Sequence, residues 1–260
     1  GNLAASLLTF KEGILSLYTL PVLRDDLYKG LTDTIAVLRE KTKEPGAFQK
    51  IIEDHQEIGT TASVRLSSAK TFLEKLLPAA EAFLDKQKTI GTTESIWWAE
   101  TLVKQCSNAS FELTTLTGWM QDVDQHPKLS EVFRMPVHIP SLNDLMNMTD
   151  VLLPRLEKTI LNEQGPEEKE WMIELESRIR NARLMAAEMI ESIDTLAKQC
   201  IELADYQYDF LFDPAQHFFS IGYNVEDHRR DPGCYDLLGS EARLGVYVAI
   251  AQGKIPQESW

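Results

Sequence analysis

The residues best suited to chemistry lie near the C-terminus. Asp231-Pro232 reads as an N-cap followed by N1, so a helix is expected from there to Ala251, with Gly253 as its stop. On it, Asp236, Ser240 and Arg243 share one face, with Tyr235 just before them. Glu241 falls on the apolar stripe of Leu237, Leu244, Val248 and Ala251. A carboxylate taken into apolar surroundings is costly unless paired or hydrogen-bonded. Glu241 therefore has a partner, sits at a boundary or faces a cavity. Other reactive residue types point to less. Cys106, Cys200 and Cys234 are odd in number and lack CxxC spacing, so neither a disulfide framework nor a zinc site is expected. Cys106 and Cys200 sit on apolar stripes and read as buried, reduced thiols. His55, His126, His138, His217 and His228 form no HxxxH or HExxH pair, so neither a metal nor a cofactor is expected.

The elements that must hold these residues are mostly helices. A first stripe of Leu3, Leu7, Phe10, Ile14 and Leu17 is broken at Pro21. A second helix, from about 25 to 43, carries Leu27, Leu31, Ile35 and Leu38. A segment at 47–58 carries Phe48, Ile51, Ile52, His55 and Ile58. Another helix, from about 61 to 88, carries Leu66, Ala69, Leu73, Leu76, Ala80 and Phe83, with a kink or restart expected at Pro78. A fifth, from Thr93, carries Ala99, Leu102, Cys106, Ala109, Leu113, Leu116 and Met120. In its first turns Trp97 and Trp98 are adjacent, so one of them must point away from the core. Three prolines make 127–141 a loop, after which Ser141 caps a helix through Leu142, Leu145, Met148 and Leu152, kinked or restarted at Pro154.

The longest helix, from about 167 to 208, places Met172, Leu175, Ile179, Ala182, Ala186, Met189, Ile193, Leu196, Cys200 and Leu203 in a strict heptad. It would extend about 60 Å, too long to stand alone. A parallel coiled-coil dimer and the spine of an intramolecular bundle both fit the pattern. The bundle is favoured, because other helices share the spacing and Ala187, Ile190, Ala197, Ile201 and Ala204 widen the stripe. The expected fold is all-α: an antiparallel multi-helix bundle, monomeric, with one small β-hairpin near the C-terminus.

That hairpin is read from the aromatic runs 210–212 and 218–223 around Asp213-Pro214, which is turn chemistry. A polar loop is expected at 224–230. Ten of the aromatic residues, nearly half, fall in the last 55 positions, so a boundary is placed near 205: a helical bundle at 1–205 and a different segment at 206–260. With 26 basic against 40 acidic residues, a net charge of −14 argues against nucleic acid as a partner. The longest apolar stretch, 245–251, is far too short to span a membrane. No basic-then-apolar start reads as a signal peptide, so the glycosylation sequons at Asn108 and Asn147 are taken as chance.

The C-terminal residues resemble a known family. The blocks are Phe210-Leu211-Phe212-Asp213, Phe219-Ser220-Ile221-Gly222-Tyr223-Asn224-Val225, residues 231–244 (DPGCYDLLGSEARL) and residues 249–256 (AIAQGKIP). In this order they are similar to the opening of the glucoamylase-like region of cyclic β-1,2-glucan synthases. The sequence departs from that pattern at Cys234, Gly239 and Gly245, where Tyr, Ala and Ser are usual. The resemblance implies a large parent protein on the cytoplasmic side of a bacterial inner membrane. It would join a UDP-glucose-dependent glycosyltransferase, a helical barrel that cyclises the glucan by transglycosylation, and a phosphorylase-like domain. On this reading 206–260 is the hairpin plus the first helix of a truncated glucoamylase-like domain. The carboxylate pair of glycoside chemistry belongs to later barrel helices, so no catalytic residue is expected in this chain.

Tyr235, Asp236, Glu241 and Arg243 are then the candidate substrate-binding residues, against a structural account of pairing and packing. Tyr223 and the Trp97-Trp98 pair could likewise stack on sugar or simply pack. The expected partners are the remaining domains of the parent chain and β-glucan. The expected role is a mainly structural part of a carbohydrate-active enzyme; the alternative is a helical interaction or dimerisation module with no sugar chemistry.

Overall fold

Three- and four-residue spacing of apolar side chains produces helices over most of the chain. The structure, a computed structural model, describes residues 2–42, 44, 46–54, 62–126, 129, 139–238 and 242–260. Among them are eight α-helices and two short β-hairpins, so the fold is mostly α, as the sequence predicts. The helices are α1 (Asn2–Leu15), α2 (Asp25–Thr42), α3 (Gln49–Glu53), α4 (Ala62–Ile90), α5 (Thr93–Gln125), α6 (Leu142–Asn162), α7 (Pro166–Ala204) and α8 (Ala242–Ala251). Packing divides the chain into two compact units, Leu17–Ile190 and Gly1–Ser16 with Glu191–Trp260. The division falls inside α7.

In the unit Leu17–Ile190 the stripes read from the sequence are the core. Leu66, Ala69, Leu73, Leu76 and Ala80 of α4 are buried, as are Ala99, Leu102, Cys106 and Leu116 of α5. Burial alone pushes the Cys106 thiol up to about 12, so it stays protonated and inert. Neighbours in the chain run antiparallel. Only Gly91 and Thr92 separate α4 from α5, and Arg180 and Arg183 of α7 reach back to Glu157 (2.5 Å) and Asp150 (2.8 Å) of α6. Capping boxes open α5 at Thr92 with Ser95 and α6 at Ser141 with Asp144, which satisfies amides that a helix start leaves without partners. Neither Pro78 nor Pro154 ends its helix. Each removes one backbone hydrogen bond, and buried residues on both sides, Leu76 and Ala80, Leu152 and Leu156, hold the helix to its packing. Of the segment expected at 47–58, only Gln49–Glu53 is helical among the described residues; His55 and Ile58 lie outside them.

The heptad of α7 holds through Met172, Leu175, Ile179, Ala182 and Ala186, all at 0% exposure. It then slips. The buried positions become Ile193, Ala197, Cys200 and Ala204, while Leu196 and Leu203 are 45% and 63% exposed. Two consecutive four-residue steps, Met189 to Ile193 to Ala197, form a stutter that turns the buried seam around the helix. Small residues explain the choice: Ala204 is fully buried with Ala4 and Val248 in one cluster, where a leucine would hold the helices apart. The same contact corrects α1. Its buried residues are Ala4 and Ile14, not the predicted Leu3 and Phe10, which are 63% and 54% exposed.

The unit Gly1–Ser16 with Glu191–Trp260 departs most from expectation. The predicted hairpin is present, with Phe212 opposite Phe219 and Asp213 opposite Phe218. A second stands where a polar loop was expected, with Tyr223 opposite Arg230 and Asn224 opposite Arg229. The two turns are built alike. Asp213 Oδ1 accepts from the amides of Ala215 (2.9 Å) and Gln216 (3.3 Å), and Asn224 Oδ1 from those of Glu226 (2.9 Å) and Asp227 (3.0 Å). Each turn then closes on a histidine in the left-handed region, His217 at φ 57° and His228 at φ 48°, a conformation histidine adopts more readily than most residues.

Residues 231–238 are not the start of a helix. Pairing continues there instead: Ile221 N–H donates to Gly233 (2.9 Å), Asp231 N–H to Gly222 (2.9 Å) and Tyr235 N–H to Phe219 (2.9 Å). Asp231-Pro232 is thus turn chemistry of the kind at Asp213-Pro214. Asp231 closes over Gly222, where a Cβ would stand 2.5 Å from Asp231 Oδ2 and the carboxylate would have to turn aside. α8 begins at Ala242, and its buried residues are Gly245, Val246, Val248 and Ala249. Of the stripe assigned to Glu241, Val248 is buried and Leu237 packs against the core, but Leu244 and Ala251 are exposed; Glu241 itself lies outside the described residues. Gly253, at φ 68°, ends α8 as predicted, with Lys254 N–H donating to Ala249 and Gly253 N–H to Ile250, both at 2.9 Å. This is the Schellman arrangement that glycine permits.

Candidate functional site

The paired segments and α8 enclose an aromatic core and a cavity beside it. Tyr208, Phe219, Val246, Ala249 and Ile255 form the buried cluster, with Leu211, Phe212, Tyr235 and Leu237 packed against it. The Tyr208 and Phe219 rings stack at 5.5 Å, and Phe212 meets Phe219 edge-on at 5.8 Å. The cavity measures about 420 Å³, within the range of roughly 300–1,000 Å³ common for small-molecule sites. Its wall draws on α1 (Asn2, Leu3), residues 208–221, Tyr235 and the start of α8 (Ala242, Gly245).

The hydroxyl of Tyr208 is buried and lacks a hydrogen-bond partner among the described residues. Burial raises its pKa above the ordinary phenol value. Tyr208 thus lines the cavity with its oxygen kept away from solvent. Tyr235, Ser220 and Asn2 supply the polar side chains of the wall. No carboxylate, imidazole, thiol or amine is among the described residues lining it. Such a wall can bind a neutral molecule, and its described residues include no acid–base pair of the kind glycoside chemistry uses.

The four candidates from the sequence have separate placements. Tyr235 is half-buried and lines the cavity. Asp236 is exposed, and its Oδ1 accepts from the amide of Leu238 at 2.8 Å, a local turn bond. Arg243 is exposed with its guanidinium 5.1 Å from the centre of the Trp260 ring, close enough for cation–π attraction. Trp260 also meets Tyr247 edge-on at 6.1 Å. Glu241 is outside the described residues. Beyond Tyr235, the cavity residues Tyr208, Phe219, Ser220 and Ala242 were not singled out as binding residues, although Phe219 and Ser220 lie inside the resembling motif.

Elsewhere, Trp97 is 56% exposed and meets Trp98 edge-on at 4.8 Å, so the surface-pointing partner is Trp97. His126 stacks on Trp171 at 4.6 Å, with Nε2 2.9 Å from Glu168 Oε1. Cys234 is half-buried with its Sγ 3.4 Å from Gln216 Oε1. Among the described residues, no group of three or more His, Cys, Asp or Glu is placed to hold a metal ion. Among the described residues, no helix is long and apolar enough to cross a membrane.

No family model matches the chain. The cyclic β-(1,2)-glucan synthase NdvB of Rhizobium meliloti (strain 1021) is 51% identical to it over 53 residues, which is 20% of this chain and 2% of that protein. The chain thus spans a small part of the length of the curated relative it matches. A partial relationship to that family is thus found, over about a fifth of the chain.

Proposed function

We propose that this chain is part of a cyclic β-1,2-glucan synthase-like enzyme, in which residues 206–260 open a glucoamylase-like domain and 1–205 support it. Its own role is to position carbohydrate-active domains rather than to turn over substrate. The observation that carries the reading is the 53-residue identity with a cyclic β-(1,2)-glucan synthase. One feature of the structure supports it. Of the α7 heptad that a dimerisation module would present, Met172 to Leu203, the positions from Met172 to Ala186 are already buried, while Leu196 and Leu203 are exposed; the buried half favours a structural monomer.

A domain exchange tests this. Replacing the 53-residue stretch of NdvB with its counterpart from this chain should leave cyclic glucan synthesis in place. A full-length chimera that accumulates normally but makes no cyclic glucan overturns the reading. The chain itself, incubated with linear β-1,2-glucan or with UDP-glucose, should leave both unchanged by mass spectrometry. Shortened, cyclised or extended product would overturn the non-catalytic role.

A further inference from the structure

We infer that the outer face of α8 is a docking surface for a carboxylate-bearing apolar segment of the larger enzyme, an inference that rests on the glucan-synthase reading. α8 reads ARLGVYVAIA, and Arg243 is its only charged side chain. A solvated helix keeps one polar face, whereas a helix that is apolar all round belongs inside a core. Here only one side of α8 is covered. Gly245, Val246, Val248 and Ala249 are buried, while Leu244 and Tyr247 are 42% and 58% exposed and Ala251 is exposed as well. Steps of three and four residues put these last three on one face. Trp260 extends that face: its ring meets Tyr247 edge-on, and it is 57% exposed.

Arg243 decides what kind of segment fits. Its guanidinium lies 5.1 Å over the Trp260 ring and has no ion pair or hydrogen bond among the described residues. A ring face attracts the cation but supplies no anion, so the N–H donors stay unmatched. Covering this face with a purely apolar surface would bury the charge unpaired, which is costly. The covering segment must therefore bring an Asp or Glu to Arg243, where guanidinium and carboxylate pair through two hydrogen bonds. Trp, Tyr and Arg together are also the residue types that dominate protein contacts. A second copy of this chain does not fit, because a two-fold contact sets the patch against itself and brings like charges together. The rest of a larger enzyme does fit, since the matched synthase extends far beyond the 53 shared residues, which are 2% of its length.

Overlapping peptides covering NdvB outside the 53-residue match, fixed as an array and probed with the 260-residue chain, test this. Capture is expected at peptides with apolar residues at helical spacing and an Asp or Glu among them. Arg243→Glu should weaken capture by about tenfold or more, and so should changing that peptide carboxylate to Lys. Combining the two reversals should restore most of the binding. Trp97→Ala, at an exposed tryptophan of the other unit, should change nothing, and thermal unfolding shows that each variant is folded. No capture, capture that survives Arg243→Glu, or a dimer in sedimentation that Tyr247→Ala dissolves overturns the docking surface. The exchange experiment in NdvB is independent. A working chimera without capture sinks the docking surface alone, and a dead chimera with Arg243-dependent capture sinks the synthase reading alone.

Discussion

The two compact units are stabilised differently. In Leu17–Ile190, long helices bury leucine, isoleucine and alanine at regular spacing, and turn chemistry matters mainly at helix starts such as Thr92 and Ser141. In Gly1–Ser16 with Glu191–Trp260, strands of two residues cannot stand alone. Order there comes from stacked aromatic rings, side-chain-capped turns and a few backbone hydrogen bonds between segments. The first kind of stability is spread over many interchangeable contacts. The second rests on particular atoms, and the cavity lies within it.

If that difference is real, core truncation should hurt the first unit most. Leu175→Ala deletes part of a side chain with 0% exposure and should cost about 2–5 kcal/mol through lost burial and a residual cavity. The measure is the urea midpoint followed by circular dichroism. A loss below about 1 kcal/mol would mean that the seam is not packed as described.

The second unit should give a smaller response, to a single methyl group at a turn. Gly222→Ala brings a Cβ within 2.5 Å of Asp231 Oδ2, the end of an exposed side chain that can swing aside, so it should cost no more than about 1 kcal/mol. The double variant Gly222→Ala, Asp231→Ala should recover part of that loss, because the two sites are in contact. Strict additivity of the two single changes would refute the close approach.

This contrast also explains what could be read from the sequence. The stripes of α4 and α5 were legible because a long helix repeats its signal many times, and one misplaced residue does not hide it. Ser141 and Gly253 were legible because a cap depends on one residue type at one place. The start of α8 was not, because Asp-Pro serves an N-cap and a turn equally well, and only the pairing of 231–235 with 219–222 decides between them. The second hairpin had a signal that went unread: Asp213 with His217, and Asn224 with His228, repeat the same turn eleven residues apart. Of the site, Tyr235 was legible through its motif. Tyr208, Phe219 and Ala242 join it only through packing between segments far apart in sequence.

A pH series sharpens the comparison further, since each unit has a phenol shifted by burial. Tyr28 in the first is raised from 10.0 to about 12, mainly by desolvation, and Tyr208 in the second is raised for the same first cause. A raised folded-state pKa means that the unfolded chain releases its proton first. The stabilisation is therefore complete below pH 10 and is lost as pH climbs towards 12. In the urea midpoint, Tyr28→Phe should reduce the alkaline loss over that window. An identical loss in both proteins would show that Tyr28 titrates normally.

The smallest effect is the most discriminating. By sequence, Leu203 holds the same heptad position as Leu175, four heptads further along α7. A strict coiled-coil reading gives the two leucines equal weight. The stutter near Ile193 separates them, since Leu175 is at 0% exposure and Leu203 at 63%. Leu203→Ala should therefore change stability by no more than about 0.5 kcal/mol, because little apolar surface returns to water and alanine is at least as good a helix former. Ala204→Leu next to it should do far more harm, because Ala204 is fully buried with Ala4 and Val248 and the added side chain has nowhere to go. If Leu203→Ala proved as damaging as Leu175→Ala while Ala204→Leu was tolerated, the seam would follow the leucines to the end of the helix. The cluster of Ala4, Ala204 and Val248 would then not be the contact that turns it.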